Sequence, residues 1–134
     1  RERDVPLLIY QGRLNMLDRA PQEEGIVDYC ADNGIGFISY SPLAQGLLTD
    51  KYLNSIPAGS RMSRETSLPS SRLTPELREH LCQLNAQAAE RGETLAEMAL
   101  AWILAQRGVT SVLVGASSVE QMACNLKCVH SKPF

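Results

Sequence analysis

Long apolar runs are missing from this sequence. The longest, Met98 to Ala105, falls well short of the roughly 20 residues a bilayer-spanning helix needs. Charge of one sign is missing too. Thirteen Lys and Arg against 15 Asp and Glu give a net charge of −2, with no dense basic stripe. A surface built for nucleic acid or an anionic membrane is therefore not expected. Cysteine is sparse, with only four in 134 residues (Cys30, Cys82, Cys124, Cys128), and aromatics make up 5 %. Four such cysteines outline no disulfide framework. Cys124 and Cys128 stand four apart near His130, but no second pair completes a zinc site, so they read as small apolar residues on a helix. No metal is expected. No repeat, low-complexity tract or signal peptide is visible, and the chain opens Arg1-Glu2-Arg3-Asp4 without an initiating methionine. These absences point to a cytoplasmic protein whose natural N-terminus lies upstream.

What is present is globular. Hydrophobic residues make up 44 % and charged residues 21 %, far from the composition that keeps chains disordered. By length alone this is one domain, since a chain of about 150 residues buries ~70 % of the surface its unfolded form exposes.

Three short apolar runs read as buried strands: Pro6 to Gln11, Ile35 to Tyr40, and Val109 to Gly115. Helices are expected between and after them. Gln22 to Asn33 has helical spacing at Ile26, Val27, Tyr29 and Cys30, stopped by Asn33-Gly34. Thr74-Pro75 opens a helix with an apolar stripe of Leu77, Leu81, Leu84 and Ala88, ended by Gly92. Thr94 with Glu97 is a capping-box pattern for Leu95 to Arg107, which is apolar nearly all round and should be deeply buried. Ser118 with Gln121 repeats that pattern before Val119 to Val129, with Met122, Leu126 and Val129 expected inward. Gln45 to Arg72 is rich in Gly, Pro and Ser and reads as a long loop, functional or mobile. Continuous apolar strands alternating with helices indicate a parallel sheet with covered faces, an α/β fold. Three strands leave the outer two without a partner on one side.

In such folds ligands bind at the strand C-termini. Three clusters fall there: Gln11; Tyr40-Ser41-Pro42-Leu43-Ala44-Gln45-Gly46; and Gly115-Ala116-Ser117-Ser118. Together they suit a dinucleotide. The Tyr40 ring can stack on a planar heterocycle, and Gln11 offers the donor and acceptor a carboxamide requires. Gly115 to Ser118 leads into a helix N-terminus, which favours an anion. Lys51 and Arg61 can reach phosphates from the long loop, the arginine bidentately. Gln121 and Asn125 share one helix face and could read one base edge. Plainer readings stand beside these. Tyr-Ser-Pro can simply end a strand, Ser118 and Gln121 can serve the cap alone, and loop cations are commonly just solvated.

The same residues carry a resemblance. Gln11 with Asn15, the Tyr40–Tyr52 stretch YSPLAQGLLTDKY, Ser60-Arg61, and VLVGASSVEQ from Val112 to Gln121 with Asn125 resemble the C-terminal part of an aldo-keto reductase. Within that family the similarity is to the branch of bacterial L-glyceraldehyde 3-phosphate reductases and potassium-channel β subunits. The resemblance covers nearly the whole chain. It implies the C-terminal portion of a (β/α)8 TIM barrel, roughly two-fifths of the full barrel, and NADP(H) as cofactor. Tyr40 would stack on the nicotinamide and Gln11 would hold its carboxamide. Ser41, Pro42, Leu43, Ala44 and Gln45, with Lys51 and Arg61, would line the pyrophosphate and 2′-phosphate. Gly115, Ser117, Gln121 and Asn125 would hold the adenosine. Cys124 stands where the branch commonly carries an acidic residue, leaving one adenosine contact unmatched.

The family's catalytic tetrad of Asp, Tyr, Lys and His has no match in this chain, and His80 and His130 lie on or after expected helices. The implied function is thus the cofactor-binding part of an enzyme that reduces small carbonyl substrates. The alternative is a non-catalytic NADP-binding regulatory module like the channel β subunits. A third reading, a helical interaction module on Thr74–Arg107, fits poorly with apolar strands on both sides. With unpaired outer strands, the isolated chain is expected to fold poorly or to self-associate.

Overall fold

A computed structural model describes residues 6–65 and 67–134. The opening Arg1–Asp4 therefore lies outside the described residues. Three strands, β1 (Ile9–Arg13), β2 (Gly36–Tyr40) and β3 (Val109–Val112), form one parallel sheet in the order β1-β2-β3. The alternation of apolar strands with helices required this arrangement, because parallel neighbours need a crossover between them. Tyr10 aligns with Phe37, Gln11 with Ile38 and Arg13 with Tyr40. A bulge between Phe37 and Ile38 shifts the register against β3.

The first strand departs from expectation in place and burial. The ladder begins where Gly36 N donates to Leu8 O at 2.8 Å, and the strand runs on to Arg13 rather than ending at Gln11. Leu7, Leu8 and Ile9 are 57, 74 and 55 % exposed, and only Gly12 of β1 is buried. An apolar run is buried only where neighbours cover it, and among the described residues β1 has one strand beside it. The third strand is also shorter than the expected Val109 to Gly115, ending at Val112.

Helices cover one face. The expected helix from Gln22 to Asn33 is two pieces, α1 (Ala20–Glu23) and α2 (Ile26–Asp32), parted by Gly25 at φ 75°. That left-handed backbone costs glycine little and interrupts the helical hydrogen bonding. Next come α3 (Pro75–Arg91) and α4 (Leu95–Leu104), with caps as expected. Thr74 Oγ1 accepts from Leu77 N, and Gly92 closes α3 in the left-handed region at φ 78°. In the Thr94–Glu97 capping box both reciprocal bonds form, at 3.2 and 2.9 Å. Leu95, Met98, Ala99, Leu100, Ala101 and Ile103 of α4 are buried, as its all-round apolar character demands. The helix ends at Leu104, earlier than the expected Arg107.

Two cores result. Between the sheet and helices α2 and α4 lie Leu14, Val27, Cys30, Ile35, Phe37 and Ile103. A Cβ added to Gly12 would sit 2.7 and 2.9 Å from Phe37 ring atoms and 3.0 Å from the Tyr10 ring. Gly12→Ala should therefore cost about 1–3 kcal/mol as overpacking, measurable by urea denaturation. The second core joins α3 and α4 to the long segment after β2, through Leu47, Leu48, Tyr52, Met62 and Leu68. Gln45 to Arg72 is accordingly no loose loop. Its apolar side chains anchor it, with 3-10 turns at Ala44–Gly46, Asp50–Tyr52 and Ser70–Arg72.

The last helix, α5 (Val119–Leu126), continues as a 3-10 turn to His130. Its facing differs from expectation: Leu126 and Val129 are 57 and 64 % exposed, whereas Asn125 is buried at 4 %. Among the secondary-structure elements, α5 packs chiefly on α4, and its opposite side, with Leu126, is exposed. Exposed apolar residues thus gather on β1, the strand ends and α5, while both cores are closed. The chain is expected to self-associate through these surfaces rather than unfold. Sedimentation across a concentration series checks this, and a monomer at every concentration would refute it. Among the described residues no helix is long and apolar enough to cross a membrane.

Candidate functional site

Successive residues of a strand point to opposite faces, so the register assigns each strand-end side chain. Phe37 and Ser39 face the helices and are buried; Ile38 and Tyr40 face the open side. Gln11 and Arg13, aligned with Ile38 and Tyr40, share that open face. The tyrosine ring, 39 % exposed, and the glutamine amide are accordingly on one surface of neighbouring strands. Arg13 is a cation the sequence reasoning passed over, although the Gln11-Gly12-Arg13 step at a strand end was its signal. Asp18 pairs with it at 2.7 Å.

Beyond Tyr40 the backbone becomes unusual. Ser41, Ala44 and Gln45 have φ of 52, 47 and 61°. For residues with a Cβ such conformations cost about 1–3 kcal/mol each and persist only where surroundings hold them. Several bonds do so here. Asn15 Nδ2 donates to Ser41 O at 3.0 Å, and Ala44 N donates to the same oxygen at 3.0 Å. Gly46 N and Leu48 N both donate to Leu43 O. Pro42 is buried, and Leu47 and Leu48 anchor the far end in the second core. The segment from Ser41 to Gln45 is thus a fixed, strained arch rather than a simple strand stop.

Lys51 and Arg61 are exposed, and neither side chain makes an ion pair among the described residues. Buried neighbours pin each backbone: Tyr52 beside Lys51, and Ser60 and Met62 on either side of Arg61. After β3, Leu113 N donates to Ser39 O at 2.8 Å, keeping the third strand end beside the second. Gly115 and Ser117 are exposed on the way into α5. Ser118 caps that helix by accepting from Gln121 N at 3.1 Å. The reciprocal bond of a capping box is displaced by one residue, for Gln121 Oε1 accepts from Ser117 N and Ser117 Oγ at 2.7 and 2.9 Å. Gln121 is therefore tied to Ser117, and Asn125 sits one turn further along on the same helix face.

Among the described residues two buried side-chain polar atoms have no hydrogen-bond partner: Gln45 Oε1 and Asn125 Nδ2. Both belong to the set picked out from the sequence. A buried amide left unpaired costs about 1–3 kcal/mol, so each marks a place where a ligand group can repay a deficit. Asn125 Nδ2 needs an acceptor such as a ring nitrogen. Gln45 offers an acceptor, and a half-turn of its amide offers a donor instead. Two open clefts, about 560 Å³ beside Leu73, Arg78 and Cys82 and about 370 Å³ between α4 and the last residues, include none of these side chains. No group of three or more His, Cys, Asp or Glu that could hold a metal occurs among the described residues.

Comparisons with known proteins agree with one another. A profile described as the aldo/keto reductase family matches residues 1–134. The chain is 45 % identical over 138 residues to L-glyceraldehyde 3-phosphate reductase of Escherichia coli K12, covering 100 % of this chain and 40 % of that protein. It is 34 % identical over 130 residues to a probable voltage-gated potassium channel subunit beta of Arabidopsis thaliana, covering 95 % of this chain and 40 % of the relative. Among solved structures it resembles a thermostable aldo-keto reductase crystallised with the inhibitor epalrestat. There the TM-score is 0.66 and the identity 27 %, over 98 % of this chain and 37 % of that one. The chain thus spans about two-fifths of the length of these curated relatives.

Proposed function

The chain belongs to the aldo/keto reductase family, and from that premise we propose that it is the NADP(H)-binding part of a carbonyl reductase domain. Its three parallel strands and their helices are the C-terminal portion of the family's (β/α)8 barrel. The observation that carries the reading is a pair of buried amide atoms, Gln45 Oε1 on the arch after β2 and Asn125 Nδ2 on α5, that find no hydrogen-bond partner among the described residues. Both follow C-terminal strand ends of one sheet, where a single extended ligand can meet them.

Tyr40 offers a ring face on the open side of the sheet, and Gln11 an amide beside it, suited to a nicotinamide and its carboxamide. The arch from Ser41 through Pro42, Leu43 and Ala44 to Gln45 lies next along the chain, where a pyrophosphate would follow. Lys51 and Arg61, without ion-pair partners among the described residues, suit phosphate oxygens. Gly115, Ser117, Gln121 and Asn125 suit an adenosine, with Asn125 Nδ2 donating to a base nitrogen. Ser117 holds Gln121 in place, and Cys124, exposed on α5, leaves one adenosine contact unmatched. When bound, the reduced nicotinamide supplies the hydride that a carbonyl carbon accepts.

None of the chain's own residues matches the tetrad that would protonate the carbonyl oxygen. Free cysteines at all four positions suit a reducing cytoplasm. The channel β relative supports a second reading, a nucleotide-binding regulatory module without turnover. Incubating the chain with NADPH and L-glyceraldehyde 3-phosphate should give saturable nucleotide binding with no NADPH consumption above the buffer rate. Turnover by this chain alone would show that the acid lies among residues 1–134.

A further inference from the structure

Two bonds, the first buried and the second partly buried, run between the end of β1 and the end of β2. Ser39 Oγ donates to Leu14 O at 2.7 Å, and Asn15 Nδ2 donates to Ser41 O at 3.0 Å. Asn15 is 2 % exposed, and its amide has no freedom to turn. Leu17 N donates to Oδ1 at 2.9 Å, which fixes that end as the acceptor and leaves Nδ2 toward Ser41. Its backbone is fixed as well, exchanging two bonds with Asp18 at 3.0 and 3.1 Å. Ser41 is the first of the left-handed residues of the arch, and among the described residues Asn15 is the one side chain bonded to the backbone of residues 41–45.

We propose that Asn15 is a positioning residue. By holding the Ser41 carbonyl it keeps Ser41 left-handed and sets where Pro42 to Gln45 stand, so that the Gln45 amide is buried in a fixed place before any ligand arrives. What the arch binds rests on the proposed nucleotide site; how the arch is held does not.

Asn15→Asp keeps the acceptor for Leu17 N but sets a carboxylate oxygen against the Ser41 carbonyl. Amide hydrogen exchange at Ala44 and Gly46 should then lose protection while α3 and α4 keep theirs. NADPH affinity should fall by about tenfold, the loss of one hydrogen bond. Glycine occupies the left-handed region without strain. In a Ser41→Gly background the same substitution should therefore cost no more than about twofold, a departure from additivity that marks the two sites as coupled. Asn15→Ser, whose hydroxyl can cap Leu17 N but is too short for Ser41 O, repeats the test should the aspartate variant not fold. Unchanged exchange at Ala44 and Gly46 in a folded variant would overturn the proposal, and so would an equal affinity loss in both backgrounds. If the unsubstituted chain binds no NADPH, the nucleotide reading fails, and the exchange pattern still decides the role of Asn15.

Discussion

Arg61→Ala should weaken NADPH binding by about 10- to 100-fold, as expected for hydrogen bonds to a charged group, and leave NADH binding within about threefold of its starting value. The contrast rests on the proposed site, in which Arg61 meets the 2′-phosphate. Arg61 stands between buried Ser60 and Met62, so its backbone is placed while its guanidinium stays exposed and unpaired among the described residues. Ser60 O accepts from Arg64 N and from Ser63 Oγ, which tightens the turn that carries it. A cation held out in this way is expected to gain most from the 2′-phosphate, the one phosphate NADH lacks. Arg61→Lys keeps the charge and loses the planar fork, so it should fall between the two. Lys51→Ala should act in the same direction with a smaller effect, a lysine being a point charge. Titrations at two salt concentrations separate these terms, because screening weakens the exposed contact.

Phe37→Ala should destabilise the chain by about 3–5 kcal/mol, the range for deleting a buried aromatic side chain. Phe37 is 0 % exposed, lies at the centre of the sheet-side core and packs on Tyr10 with ring centroids 5.8 Å apart. Gly12 leaves room for the ring above β1 and has no side chain to fill the cavity. Ser39 and Tyr40 follow on the same strand. The variant should therefore lose the buried Ser39–Leu14 bond and the arch along with its stability. Urea denaturation checks the magnitude, and a change below about 1 kcal/mol would mean that this core is not closed.

Local chemistry made much of the fold legible. Thr74, Thr94 and Gly92 act at the helix ends they were expected to mark, because caps depend on a few adjacent residues. Facing and burial were harder. Leu7 and Leu8 look like buried strand residues, and nothing in their own composition shows that few neighbours cover them. Gly25 divides the expected helix one residue before its apolar spacing begins at Ile26. Asn125, not Leu126 or Val129, takes the buried side of α5, because α4 supplies its packing surface.

The site followed the same division. Strand-end position assigned Gln11, Tyr40, the arch and the entry to α5 to one edge of the sheet, and the parallel strands keep those ends on one edge. Which amides are satisfied depends on partners far along the chain, so the bond from Asn15 to Ser41 and the unpaired atoms of Gln45 and Asn125 were not readable. Nor was the shift by which Gln121 holds Ser117 instead of closing a capping box.

The central claim is that one dinucleotide bearing a 2′-phosphate spans these strand ends. Equilibrium titration of the chain with NADPH and with NADH, followed by nicotinamide emission, tests it most directly. The account predicts saturable binding of one NADPH per chain, tighter than NADH, with the preference removed in Arg61→Ala. No saturable binding, or equal affinity for the two nucleotides, would contradict it.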